Sequence, residues 1–247
     1  MTLEQLLPVL IPVIFCAYLV LERVVRTGRP QPEVKGWWTR GLIFFGISFV
    51  LNGAIPAIAA SLLGPQKGLG LDSLGTLGGA VAVLLAGDLV GYWVHRTLHK
   101  TPRLWLWTHQ MHHSAERMDM LGASYGHPFD FIVGTVLPST AVTLLLGVSP
   151  EAAALGGLVG FVFGVFPHVN IRTPRFLGYV LQRPEMHAVH HTRNVHSYNY
   201  GNLAFSDLLF GTWRNPEGFP EAPYGFWDGA SAKVGAMLMG RDVSRPV

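Results

Sequence analysis

Five of the eleven histidines fall within the stretch DLVGYWVHRTLHKTPRLWLWTHQMHH, residues 88–113. His95 and His99 are four residues apart. His109, His112 and His113 form an HxxHH box, and the same box recurs as His187, His190 and His191. On a helix, residues at i, i+3 and i+4 share a face, so each box directs three imidazoles to one side. Neutral imidazole is the commonest protein ligand for zinc, iron, copper and nickel. Eight such ligands exceed what one tetrahedral or octahedral ion can take. Two metal ions sharing the boxes is the economical reading, with the histidines as ligands and no catalytic group beyond them.

Other residues can be ranked against this set. His168, in PHVN, follows an apolar run that returns to the same side of the chain's membrane portion, and it joins the expected ligands. His127, before Pro128, is kept as a further candidate ligand. His196 stands alone and reads as an ordinary surface or core histidine. Asp88 lies seven residues before His95 and shares its helical face. An acid in an apolar run is costly and points to a functional role. It could accept a hydrogen bond from a ligand imidazole and so orient it, or it could pair with an arginine or tyrosine for packing. Glu185 and Asp207 are weaker candidates for the orienting role. Trp93, Trp105 and Trp107 flank the boxes, where interfacial packing accounts for most tryptophans.

The elements that must position these groups are apolar. The chain is 49% hydrophobic and 13% charged, about half the charge of an ordinary soluble domain. Apolar runs cover residues 6–21, 41–63, 74–94, 129–146 and 152–166. The first is expected to be a retained span and not a cleaved leader, since no basic residue precedes it. The last two, joined by the tight link 147–151, read as a helical hairpin. This pattern predicts an integral membrane protein. The single cysteine, Cys16, excludes an intrachain disulfide framework and a thiolate-rich metal site. The net charge of +3 comes without a basic groove or stacking aromatics, so nucleic acid is not an expected partner.

Basic residues gather in the link before residue 41, in 95–128 and after Phe166, while the links at 64–73 and 147–151 are nearly free of them. By the positive-inside rule the basic segments are cytoplasmic. All the histidines then lie at or past cytoplasmic ends of the runs. The predicted fold is all-α: a membrane helical bundle of about four to five apolar spans or hairpins, with a cytoplasmic histidine-rich helical cap. Its expected parts are N-terminal spans and basic linker (1–73), a histidine-box catalytic domain (74–213) and a C-terminal tail of no assignable role (214–247).

The segments DLVGYWVHRTLH, THQMHH, PHVNIRTP, HAVHHTRNVHSYNYGN and DLLFGTW, in this order, resemble the fatty acid hydroxylase / sterol desaturase superfamily over roughly residues 74–213. The resemblance implies a membrane-embedded non-haem di-iron oxygenase. It would use two iron ions, with O2 as co-substrate and two electrons, to hydroxylate or desaturate a lipid. It places the metal ligands at His95, His99, His109, His112, His113, His187, His190 and His191, with His168 as a further ligand and His127 at another family position. One departure is Ser206, where the family usually carries tryptophan before the aspartate of its last motif. No fused cytochrome-like domain is present in the sequence, so electrons are expected from a separate cytochrome b5-like or ferredoxin-like donor. From the residues themselves two other readings stay open. One is a two-metal hydrolase acting on a lipid ester or phosphate. The other is a non-enzymatic metal-binding membrane protein, whose transport variant is weakened by Asp88 being the one clear polar group at membrane depth.

Overall fold

The computed structural model describes residues 2–64 and 67–246, so residues 65 and 66 of the expected 64–73 link, and the two chain ends, lie outside it. The described residues are helical, with two isolated β-bridges and no strand. Among the described residues, five helices are long and apolar enough to cross a membrane. They are α1 (Leu3–Val25), α2 (Trp37–Leu63), α3 (Gly75–Lys100, extended by a 3₁₀ turn from Leu71), α7 (Pro128–Leu146) and α8 (Pro150–His168). Short helices build the cap: α4 (Pro102–Trp107), α5 (Gln110–His113) and α6 (Met120–Ser124) before α7; then α9 (Pro184–His190), α10 (Ala204–Leu209) and α11 (Val234–Leu238) after α8.

Local chemistry explains the boundaries. Glycines in left-handed backbone flank α2 at its start, Gly36 (φ 70°), and close α7 at Gly147 (φ 60°). Ser149 caps α8, its side chain accepting from the Ala152 N–H. The three-residue link 147–149, which includes both caps, makes the α7–α8 hairpin. α3 runs six residues past its apolar stretch and ends at Lys100, so His95 and His99 stand on a continuous extension of a span. Within α7, residues Phe131–Val136 form a π segment, the kind of irregularity that often sits beside a functional site.

α3 packs against α7 and α8, and α1 packs against α8. Gly156 lets α8 approach α3, since a Cβ there would meet the Val83 side chain at 2.8 Å. Apolar side chains such as Val13, Val50, Leu62 and Leu77 point outward from the spans, as lipid-facing positions do. The main buried core lies where α1 and α2 meet the cap: Phe15, Trp37, Phe44, Met111, Met120, Leu121, Tyr125 and Met237. Polar ties reinforce it. Glu22, near the end of α1, accepts the N–H groups of both Met120 (2.8 Å) and Asn170 (2.7 Å). Trp37 donates its indole N–H to Asp119 (3.0 Å).

The C-terminal stretch 214–247, to which the sequence assigns no role, is built into the cap. Met237 is fully buried. Tyr125 donates to the Ser231 carbonyl (2.6 Å), and the Gln110 amide donates to the Arg241 carbonyl (2.9 Å). The tail therefore covers α5, the helix carrying the first HxxHH box.

Candidate metal centre

Nine histidines converge in two adjoining groups. His95, His99, His109, His113 and His190 form one, and His112, His168, His187 and His191 form the other; within each, the ligand-capable nitrogens lie within 4.8 Å of one another. α3 supplies His95 and His99, the α5 segment supplies His109 to His113, α8 ends on His168, and α9 supplies the last box. Each HxxHH box is divided between the groups. His109 and His113 go to the first and His112 to the second; His190 goes to the first, with His187 and His191 in the second. The groups touch where His113 and His191 stack, their rings 4.1 Å apart and nearly parallel.

Hydrogen bonds settle which ring nitrogen carries the proton. A carbonyl oxygen can only accept, so an imidazole bonded to one must be the donor. His95 Nδ1 bonds to the Tyr200 carbonyl (2.9 Å), His190 Nδ1 to the Tyr198 carbonyl (2.8 Å) and His112 Nδ1 to the Tyr125 carbonyl (3.1 Å). His109 Nδ1 donates to the buried carboxylate of Asp130 at 2.8 Å. In all four rings Nδ1 carries a proton, so in the neutral form that a metal ligand needs Nε2 is left as the lone pair.

Those lone pairs face one another. His109 Nε2 lies 2.9 Å from His95 Nε2, which lies 3.2 Å from His99 Nε2. In the second group His168 Nε2 lies 3.1 Å from His112 Nε2 and 3.2 Å from His187 Nε2. With both rings as neutral Nδ1–H tautomers, His95 and His109 set two Nε2 acceptors against each other. Metal–imidazole bonds of about 2.1 Å generate ligand edges of this length, and a cation among the lone pairs removes their repulsion. The Nε2 atoms of His113 and His190 are also buried without a hydrogen-bond partner among the described residues. The donor set thus fits a metal in each group. It is imidazole-only, which suits iron, zinc, copper or nickel; Cys16 is an exposed residue of α1 and takes no part.

Burial keeps the cap histidines neutral, as ligands must be. It holds His113, His187, His190 and His191 well below the usual imidazole range and lowers His112 to about 4.

The other sequence candidates fall elsewhere. His127 belongs to neither group: it caps α7, its Nδ1 accepting from the Phe129 N–H at 3.0 Å. Asp88 does not orient an imidazole, nor does it pair with an arginine or tyrosine. Its Oδ1 accepts the N–H groups of Asn202 (2.7 Å) and Leu203 (2.8 Å), and its Oδ2 accepts from Ser206 Oγ (2.8 Å). The reason is geometric: Asp88 lies two turns below His95, at the level where the chain returns past α3, so it meets backbone and not a ring. Asp207 accepts from the Tyr200 and Gly201 N–H groups. Glu185 is a buried partner of Arg183 (3.0 Å). Ser206, the residue at the family's tryptophan position, is thus the hydroxyl donor to Asp88.

Sequence reasoning missed several residues. Asp130 is the carboxylate that holds a ring; the signal was present, an acid at the head of an apolar run as with Asp88. The carbonyl acceptors Tyr125, Tyr198 and Tyr200 carry no side-chain signature. Trp105 lies against the rings of His99 (5.1 Å), His113 (5.3 Å) and His196 (5.5 Å), and so lines the first group and not merely an interface.

Comparison with known proteins agrees with this geometry. A family model described as fatty acid hydroxylase matches residues 80–212. Among curated proteins, the chain is 26% identical over 136 residues to the very-long-chain aldehyde decarbonylase GL1-9 of Oryza sativa, covering 53% of this chain and 53% of that protein. It is 26% identical over 137 residues to the sphingolipid C4-hydroxylase sur2 of Schizosaccharomyces pombe, covering 54% of this chain and 46% of that protein. The chain thus spans about half the length of the curated relatives it matches. No solved structure matches it. The family match runs from within α3 to just past α10, embraces all nine convergent histidines and covers more than half of the sequence: the chain belongs to the fatty acid hydroxylase family.

Proposed function

We propose that this protein is a membrane-embedded di-iron oxygenase that hydroxylates a lipid, with O2 as co-substrate and electrons from a separate donor. The observation that carries this reading is the pair of adjoining, imidazole-only groups at the ends of apolar helices. The nine histidines His95, His99, His109, His112, His113, His168, His187, His190 and His191 would hold the two irons. When bound, the irons supply the redox chemistry: the substrate C–H becomes C–OH, and O2 with two electrons and two protons gives that oxygen atom and one water.

The chain's own residues bind, orient and shield. Tyr198 and Tyr200 carbonyls, the Tyr125 carbonyl and Asp130 hold four rings with Nε2 inward. The 214–247 stretch and Trp105 close the site off from water on one side. Neutral ligands, in contrast to carboxylates, leave the site's positive charge uncompensated except at Asp130, which suits binding of a reducible, anionic-going ligand such as oxygen. The names of the relatives speak of a sphingolipid and a very-long-chain aldehyde, and a long-chain lipid reaching the site from the bilayer is the substrate class proposed here. Basic segments beside the histidine end argue for its facing the cytoplasm.

The test loads the purified protein with iron, supplies a chemical reductant and lipid extract under ¹⁸O-labelled oxygen, and compares it with His112→Ala. The expected result is oxygen uptake and label in a lipid hydroxyl, both lost in the variant. Metal binding with oxygen drawn from water instead would sink the oxygenase reading and favour hydrolysis.

A further inference from the structure

We propose that residues 194–200 form a clamp dedicated to the five-histidine group, that His196 is its side-chain contact, and that this group is the firmer of the two metal sites. The proposal rests on the two-metal reading above.

The segment is strained. Asn194, His196, Tyr198 and Asn199 all have positive φ (65°, 42°, 68° and 50°) without being glycine, a conformation that persists only where the surroundings enforce it. Three kinds of anchor do so. The fully buried Asn199 donates to the Met186 (2.7 Å) and Arg214 (3.0 Å) carbonyls and accepts the Arg214 N–H (2.8 Å). Asp207 accepts the N–H groups of Tyr200 (2.9 Å) and Gly201 (2.8 Å). Asp88 pins the next two residues to α3. Gly201 lies close between them: a Cβ would meet Asp88 Oδ2 at 3.2 Å and Asp207 Oδ2 at 3.3 Å, so both carboxylates would have to give way slightly.

What the strained segment delivers is three contacts to one group. The Tyr200 carbonyl holds His95, the Tyr198 carbonyl holds His190, and His196 Nδ1 lies 3.1 Å from His113 Nδ1. With His113 Nε2 buried and turned to the group, its Nδ1–H donates and His196 accepts. Asp130 holds a fourth ring, His109. The four-histidine group has no comparable support. Tyr125 holds His112, but the far nitrogens of His168 and His187 are buried with no hydrogen-bond partner among the described residues. Partners on the far nitrogen fix a ligand ring and raise its basicity, and losing one weakens metal binding by about 10- to 100-fold. One group therefore has five ligands with four rings held; the other has four ligands with one held.

The experiment uses the full chain in detergent, loaded with zinc, and follows release of zinc to a chelator. Wild type should bind two ions and release them in a fast and a slow phase. His168→Ala should abolish the fast phase. His196→Ala should quicken the slow phase about 10- to 100-fold and leave the fast one alone. His196→Asn, whose amide oxygen can still accept from His113, should recover most of the difference. If His168→Ala removes the slow phase, or His196→Ala changes neither phase or both alike, the clamp is wrong although the two-metal reading stands. If wild type binds fewer than two ions, that reading falls and the proposal falls with it.

Discussion

Asp130 shows how one side chain sets the character of a ligand. Its carboxylate sits behind His109, buried, and accepts the hydrogen bond from Nδ1–H, which both fixes the ring and makes Nε2 a better metal ligand. Asp130→Ala is expected to lower the affinity of the five-histidine group about 10- to 100-fold while the second ion is retained. Chelator competition checks this, and equal weakening of both ions would contradict it. A second expectation concerns acid. His112 and His196 stay neutral in the fold until about pH 4, chiefly because burial excludes the charged form. The unfolded chain takes up the same protons near pH 6.5. Acidification between those values therefore favours unfolding: stability is full above about pH 6.5 and declines toward about pH 4. The unfolding temperature of the metal-free protein, followed across that range, should fall with pH; a flat profile would count against the burial of neutral rings.

At the scale of elements, α3 acts as a ladder with two rungs on one face. His95 donates to the carbonyl of Tyr200, and two turns below it Asp88 accepts from residues 202 and 203. The returning chain is thus tied to the span that carries two ligands, and the cost of an acid at this depth is offset by three hydrogen bonds. Asp88→Ala leaves the Leu203 N–H buried without an acceptor, and a destabilisation of about 1–3 kcal/mol is expected for such a group. Thermal unfolding of the metal-free protein reads it. Ser206→Ala removes a single donor and should cost less. An unchanged unfolding temperature in Asp88→Ala would mean that Asp207 and Asn199 hold the segment unaided.

At the scale of the molecule, five apolar helices carry a polar cap at one end, and the C-terminal stretch seals that cap. The proposed orientation makes a labelling prediction. In a Cys16→Ser background, a cysteine at Ser149 in the α7–α8 link should react with a membrane-impermeant maleimide on intact cells. One at Glu217, whose side chain is 89% exposed in the cap, should react only after permeabilisation. The opposite pattern would turn the histidine boxes to the outside.

The sequence alone determined the helical class, the apolar spans and the faces on which the His95/His99 pair and the two HxxHH boxes lie, because hydropathy and the i, i+3, i+4 spacing are local properties that a helix converts directly into faces. It also carried the motifs by which the family is recognised. The tertiary structure decided what those local rules cannot reach. Which group each ring of a box joins depends on how α3, α5, α8 and α9 meet. The proton positions depend on carbonyls of Tyr125, Tyr198 and Tyr200, and a backbone carbonyl has no signature in its residue type. Asp88 and Asp130 read alike in sequence, as acids in apolar runs, yet one meets backbone and the other an imidazole. His196 and the tail looked silent for the same reason: their partners lie far along the chain, and only packing brings them together.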